Sequence, residues 1–396
     1  MKRALLAALV ALSACTKKEP PPPSPPSAVD GGGPALSSSA SKPKRPVTTS
    51  WEIAGGNLDG EIAERMRLDK GDPGQRRTIV SLLLTRVQFV ANTADYAKAE
   101  DLAKETLEKN PKNVEAHRAQ ASVHAALHRF AAAQKELDEA QRLGASANDV
   151  AESRATIAMA LGHYDQASGF MHDDVLTAAL AARTGKVDES ERLFTKARDT
   201  MRDVSPFTLA WIDFQHATAL DLRGEPTKAM DWYAEAVDVI PVYAHAVVHL
   251  ALAEPPDKAI ARLVALENAK TTDDPDVPAA LADAHRRAKH DAEAKAAAGA
   301  ARARFEALLE KWPEAYADHA ARFFLKDGAD PKRALDLAKK NAALRSTEEA
   351  IDLWSGAAAA TNDKAEMCAS AKAMSALTYA SAEHKRLAAA ALSGCP

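Results

Sequence analysis

The chain has 396 residues and a formal net charge of −4, with 46% hydrophobic, 27% charged and only 5% aromatic residues. An acid-leaning balance lacks the electrostatic footprint of a nucleic-acid binder. No G-x-x-x-x-G-K-[ST] is present to cradle phosphate, no H-E-x-x-H to bind zinc and no G-x-S-x-G elbow, so the sequence points to no cofactor and no metal.

Residues 1–14 read as a secretory signal. Lys2 and Arg3 supply the positive start, and Ala4 to Leu12 is an apolar run of nine residues, too short to cross a bilayer as a helix. Leu12-Ser13-Ala14-Cys15 then resembles the signal of a bacterial lipoprotein. The resemblance implies cleavage before Cys15, a diacylglycerol on its thiol and a further acyl chain on the new amino group. Two or more chains anchor stably where one is marginal. Thr16, not Asp, follows Cys15, which by the same resemblance implies the outer membrane, facing the periplasm.

Residues 15–50 form the lipidated cysteine and a linker. The linker holds Glu19-Pro20-Pro21-Pro22-Pro23, Gly31-Gly32-Gly33, Ser37-Ser38-Ser39 and Lys42-Pro43-Lys44-Arg45-Pro46. With almost no large apolar residue it cannot offset ordering entropy by burial. At about 3.1 Å per residue it reaches about 100 Å at most, a tether that lifts the body off a membrane. Lys2 and Arg3 leave with the signal and the linker carries a net +3, so residues 51–396 carry −9. The basic excess sits beside the anchor, where anionic headgroups attract it.

The body opens at Trp51. Leu58, Ile62, Met66 and Leu68 predict a short capping helix over 58–68, ended by Gly71-Asp72-Pro73-Gly74. Ile79, Leu82, Leu83, Val87, Phe89 and Val90 predict the next helix. From there a small residue recurs on the second helix of successive pairs, at Ala99, Ala133, Ala167, Ser190, Ala229, Ala259, Ala294 and Ala334, with the larger Met367 a poor match at the ninth place. The mean step between these positions is close to the period of a known helical repeat. The step from Ala167 to Ser190 is much shorter than the rest, so the third pair has lost part of a helix. Lys270 to Pro278 is polar and predicts a longer loop, Ala294 to Lys311 a long helix, Asp330-Pro331 a cap followed by a first-turn proline, and Ala376 to Leu392 a final helix. Alanine dominates this stretch, which favours helix and close packing but makes a thin core.

The clearest unit is Arg223 to Pro241. A turn at Arg223-Gly224-Glu225 is followed by Pro226 and an apolar face of Ala229, Trp232, Tyr233, Ala236 and Val237, closed by Pro241. This order, at that spacing, resembles the tetratricopeptide repeat, whose period is about 34 residues. The resemblance covers roughly residues 75–375 and implies an all-α, right-handed superhelical solenoid over residues 51–396, with about eight to nine degenerate repeats and terminal capping helices. In such arrays the first helix of each pair lines a concave groove that binds a protein or peptide. Carried over by register, that places Arg118, Trp211, Phe214 and His245 on the inner face. Phe207, Trp211 and Phe214 also form a stripe at helical spacing, which reads as core.

With Cys15 assigned to lipid, Cys368 and Cys395 remain as a pair in an exported chain. An oxidising compartment favours a disulfide between them; two free thiols are the other reading. His245 and His249 share a helix face, as do His117, His124 and His128, but two ligands without a local carboxylate make a weak metal site, and packing or solvation is the stronger reading.

Two functional classes follow. One is a non-enzymatic, membrane-anchored scaffold of the bacterial cell envelope with a protein partner in the groove. The other is a helical-toroid hydrolase acting on envelope polysaccharide, which needs a pair of carboxylates across a cleft. An open superhelix favours the first; a closed ring with clustered carboxylates favours the second.

Overall fold

Side chains that recur every three or four residues must find another helix to cover them, and the sequence supplies such segments one after another. The computed structural model describes residues 45–171 and 173–395; the signal, Cys15 and the tether as far as Lys44 lie outside them. Among the described residues there are twenty helices and no strand. Trp51–Arg67 (α1) precedes nine antiparallel pairs. These are Pro73–Val90 with Ala94–Lys109 (α2, α3), Val114–Ala126 with Phe130–Arg142 (α4, α5), and Ala147–Leu161 with Tyr164–Ser168 (α6, α7). Next come Asp174–Arg183 with Val187–Thr200 (α8, α9), Pro206–Leu222 with Pro226–Val239 (α10, α11), and Ala244–Ala253 with Pro256–Ala269 (α12, α13). The last are Asp276–Arg287 with Asp291–Lys311 (α14, α15), Pro313–Leu325 with Pro331–Leu344 (α16, α17), and Glu348–Ala360 with Lys364–Ala376 (α18, α19), followed by Ala382–Leu392 (α20). No described helix is long and apolar enough to cross a membrane.

Local chemistry sets the boundaries. Proline stands in the first turn of α2, α10, α11, α13, α16 and α17, where the lost N–H has no helical partner. Asp72 caps α2 through Gln75 N at 2.8 Å, and Asp330 caps α17 through Arg333 N at 3.1 Å. Ser146 and Asp149 close a reciprocal capping box on α6.

The small-residue register holds along the array. From α5 to α19 the marked residue is the fourth of each second helix. Ala99, Ala133, Ala167, Ser190, Ala229, Ala259 and Ala334 have no exposed surface at all. Ala294 and Met367 occupy the same place but are only half-buried. In the 21-residue α15 the first turns overhang their neighbours and burial begins at Ala297 and Ala301; in α19, beside the end of the array, it falls on Ser370 and Ala371. α7 is five residues long, as the short sequence step implies. α1 departs from expectation: it begins at Trp51, buries Ala54, Leu58 and Ile62, and leaves Met66 and Leu68 exposed at its far end.

The array also departs from an open superhelix, because its successive turns touch. Phe89 of α2 packs on Phe207 and Tyr243 with ring centroids 5.0 and 4.9 Å apart. Trp312 Nε1 donates to Glu100 at 3.0 Å, Ser346 N donates to Leu161 O at 3.1 Å, and Arg183 Nη1 donates to Glu349 at 2.6 Å. The hydrogen-bonded side-chain partners Arg183–Glu349 and Arg345–His128 lie 166 and 217 residues apart, about five to six 34-residue units, while Phe89 meets residues somewhat nearer in the chain. A single core therefore runs from Ala54 through Leu127 and on from Phe207 to Ala315, in place of the neighbour-only contacts usual between repeats. Sulfur chemistry closes the far end: Cys368 on α19 and Cys395 after α20 are joined as a disulfide, Cα atoms 5.8 Å apart.

Candidate functional site: a cavity and a cleft between the turns

Two spaces among the described residues lie along the contact between turns. The inner one, about 70 Å³, lies where α2 and α3 face α10, α12, α14 and α16. Its walls include Tyr96, Trp211, Phe214, Tyr243 and Tyr316, with His128, His245, Asp274, Asp276 and His319 as the polar groups. The loop before α14 holds it shut from one side. Asp273 accepts from Thr93 N at 2.7 Å and from Thr93 Oγ1 at 2.6 Å, and Thr272 Oγ1 donates to Ala91 O at 3.0 Å.

His319 pairs with Asp276 through its Nδ1. Burial alone would lower the imidazole, but Asp276, Asp318 and Asp274 outweigh it and hold His319 up at about 10. The same pairing keeps Asp276 ionised below its ordinary value against the opposing effect of burial. Asp274 is buried. Its Oδ1 accepts from Asp276 N at 2.9 Å, and its Oδ2 has no hydrogen-bond partner. Burial, then the charge of Asp276, push it up to about 7. His245 Nδ1 stands 3.8 Å from that oxygen; burial, then the positive His319, push His245 down to about 4, so it is a neutral imidazole.

Beside the cavity is a buried cation. Arg345 lies 3.5 Å from Asp318 and 3.1 Å from His128 Nδ1, with its guanidinium 6.0 Å from the Phe130 ring. Burial and Arg345 push His128 down to about 3. The neutral Nδ1 also faces Glu314 O at 3.2 Å, so its tautomer decides whether it donates there or accepts from Arg345.

The second space is a cleft of about 530 Å³ where the turns before α7, α9 and α11 meet the α17–α18 connection and the region from the end of α19 to the start of α20. Tyr379 Oη donates to Asp165 at 2.5 Å and its ring meets Tyr164 edge-on at 5.7 Å. His384 bridges Asp352 and Glu348, which in that order hold it up at about 10 against its burial.

Of the residues singled out by register, the structure brings Trp211, Phe214 and His245 together at the inner cavity. Phe214 is core, 2% exposed, between Tyr233 and Tyr243. Arg118 is elsewhere: it donates to Glu115 and to Asp149 O at 3.0 and 2.9 Å and ties α4 to α6. His117 lies against Glu136 and Pro111 O. No group of three or more His, Cys, Asp or Glu among the described residues is placed to hold a metal. Sequence reasoning missed Asp274, Asp276 and His319. The dense Asp273-Asp274-Pro275-Asp276 run is the available signal, and it reads as a loop because the partners lie on α3 and α16.

No protein-family model and no curated protein matches the chain. Among solved structures it is similar to the human IFIT1 dimer with m7Gppp-AAAA, at 14% identity over 87% of this chain and 86% of that one, with a TM-score of 0.41. It is also similar to the TPR domain of P58(IPK), at 11% identity over 86% and 94% of the two chains and a TM-score of 0.27. A third similarity is to the APC/C hetero-tetramer Cut9–Hcn1, at 10% identity over 86% and 88% and a TM-score of 0.32. The likeness is one of fold alone: paired helices in a TPR-like array.

Proposed function

We propose that this chain is a lipid-anchored protein of the bacterial cell envelope, held at the outer membrane through Cys15 and facing the periplasm, where it acts as a non-catalytic scaffold for a protein partner. The Leu12-Ser13-Ala14-Cys15 run and the Pro-rich tether support the anchor. The Cys368–Cys395 pair supports an oxidising compartment. The observation that carries the scaffold is the cleft. Its volume of about 530 Å³ lies in the range of ligand pockets, roughly 300–1,000 Å³. Trp211, Phe214 and His245 line a cavity of only about 70 Å³, so a partner segment enters at the cleft. A body of −9 makes nucleic acid the wrong partner.

The hydrolase reading has its carboxylates, Asp274 and Asp276, but not its space. About 70 Å³ beside them holds a handful of waters, at about 10–15 Å³ each, and not a sugar chain.

Two experiments test the proposal. Wild-type protein should label with a palmitate analogue and Cys15→Ala should not; an unlabelled wild type removes the anchor. Capture from detergent-solubilised envelopes should yield a protein that Ala376→Trp, which fills the cleft mouth, no longer holds. Identical capture by both removes the cleft as the docking site.

A further inference from the structure

The inner cavity has a composition that the scaffold reading does not use. Five aromatic side chains, Tyr96, Trp211, Phe214, Tyr243 and Tyr316, surround it, and one buried carboxylate oxygen, Asp274 Oδ2, has no hydrogen-bond partner. The neighbouring carboxylates are engaged: Asp276 with His319, Asp318 with Arg345. His245, 3.8 Å from Asp274, is neutral and offers no charge; the positive His319 acts on Asp274 from a distance, but its Nδ1 is committed to Asp276.

The geometry points to a binding site for a primary ammonium group on a short alkyl chain, seated among these aromatic rings with an N–H donated to Asp274 Oδ2. Aromatic faces carry negative charge density and attract a cation, most strongly where water is excluded. An acceptor buried without a donor is the atom a ligand N–H satisfies. The size agrees: about 70 Å³ takes a group of up to roughly five to seven non-hydrogen atoms, one per water-sized volume. Access agrees as well, since Tyr96, Trp211, His245 and Tyr316 each keep part of their surface open. A quaternary ammonium has the charge but no N–H, so it binds less well. A free alkylamine and a lysine side chain of a peptide present the same group.

The inference is independent of the anchor and of the cleft. The test is calorimetric titration of the folded, disulfide-intact chain at about pH 8, where Asp274 is ionised. Propylammonium should bind saturably, tetramethylammonium about tenfold more weakly, and 1-propanol, with the same number of heavy atoms, not at all. Asp274→Asn should weaken propylammonium by at least about tenfold. Trp211→Leu, which leaves the carboxylate in place, should weaken both cations. A lysine methylamide capped at its α-amino group separates the two sources: binding equal to propylammonium favours a peptide side chain, its exclusion a free amine. Equal responses to propylammonium and 1-propanol, no saturation to tens of millimolar cation, or an unchanged affinity in folded Asp274→Asn would each overturn the site and leave it a water pocket.

Discussion

Gly162 and Ser346 meet where the third helix pair touches the start of the ninth. The Ser346 carbonyl occupies the space that a side chain on Gly162 would need, while the neighbouring Ser346 N donates to Leu161 O at 3.1 Å. Gly162 is also in the left-handed region, at φ 79°. A backbone without Cβ is therefore required twice over, once by the α6 terminus and once by a segment from the other turn of the array.

Gly162→Ala should consequently lose more than the penalty of a left-handed alanine, about 1 kcal/mol. Gly224, at φ 75° with open space around it, supplies the control. Urea melts should show Gly224→Ala down by about 1 kcal/mol and Gly162→Ala down by roughly 3 kcal/mol. Equal losses would mean that the two turns do not press on one another there.

Arg345→Met should be among the most damaging single changes, at about 3–5 kcal/mol, because it removes the largest compensating charge from the buried Asp318. Arg345→Met with Asp318→Asn should recover a substantial part of that loss. Chemical denaturation of both variants checks it, and a double variant no better than the single one would contradict the pairing.

The helices α19 and α20 bury little of their own: Ala371, Met374 and Ala388, packed with Ile351 of α18 as a four-residue core. The bond between Cys368 and Cys395 therefore matters most for this end. Reduction, or Cys395→Ser, should cost the end about 3 kcal/mol in the chain-entropy account and speed hydrogen exchange over residues 364–392, while α2 to α5 stay protected. Unchanged exchange at α20 would show that packing alone holds it.

Asp274 makes the inner junction sensitive to pH, and the sign is fixed. Its carboxyl is raised in the folded chain from 3.8 to about 7, so the native state holds a proton that the unfolded chain releases. Stability from this group is present below about pH 4 and is lost as pH rises towards 7. Asp274→Asn keeps the neutral shape. Its advantage over wild type should be near zero at about pH 4 and grow to a few kcal/mol by about pH 8. A difference that stays constant across that range would place the titration elsewhere.

What the sequence disclosed and what it hid have different physical origins. Ala99, Ala133, Ala229 and Ala334 could be found because the packing within and between adjacent repeats is the same in each unit, and a repeated constraint leaves a periodic mark. The short α7 and the proline starts of α11 and α17 were legible for the same local reason. Trp312 on Glu100 and Thr93 on Asp273 leave no such mark. They depend on the small rotation from each repeat to the next, summed over five or six repeats, and a slight change at each step moves the partner. The inner face accordingly reads as an open groove, although Trp211, Phe214 and His245 come from the correct helices. Arg118 comes from a repeat whose inner face is turned to α6.

The spacing between turns also restricts how such a gene can lengthen or shorten. Repeat arrays usually tolerate duplication or loss of a unit, since each unit meets only its neighbours. Here a unit inserted between α9 and α16 would carry Glu100 past Trp312, Leu161 past Ser346 and Arg183 past Glu349 all at once, each facing a residue out of phase with it. Whole-unit insertions and deletions are therefore confined to the two ends of the array, and the interior can change only by substitution.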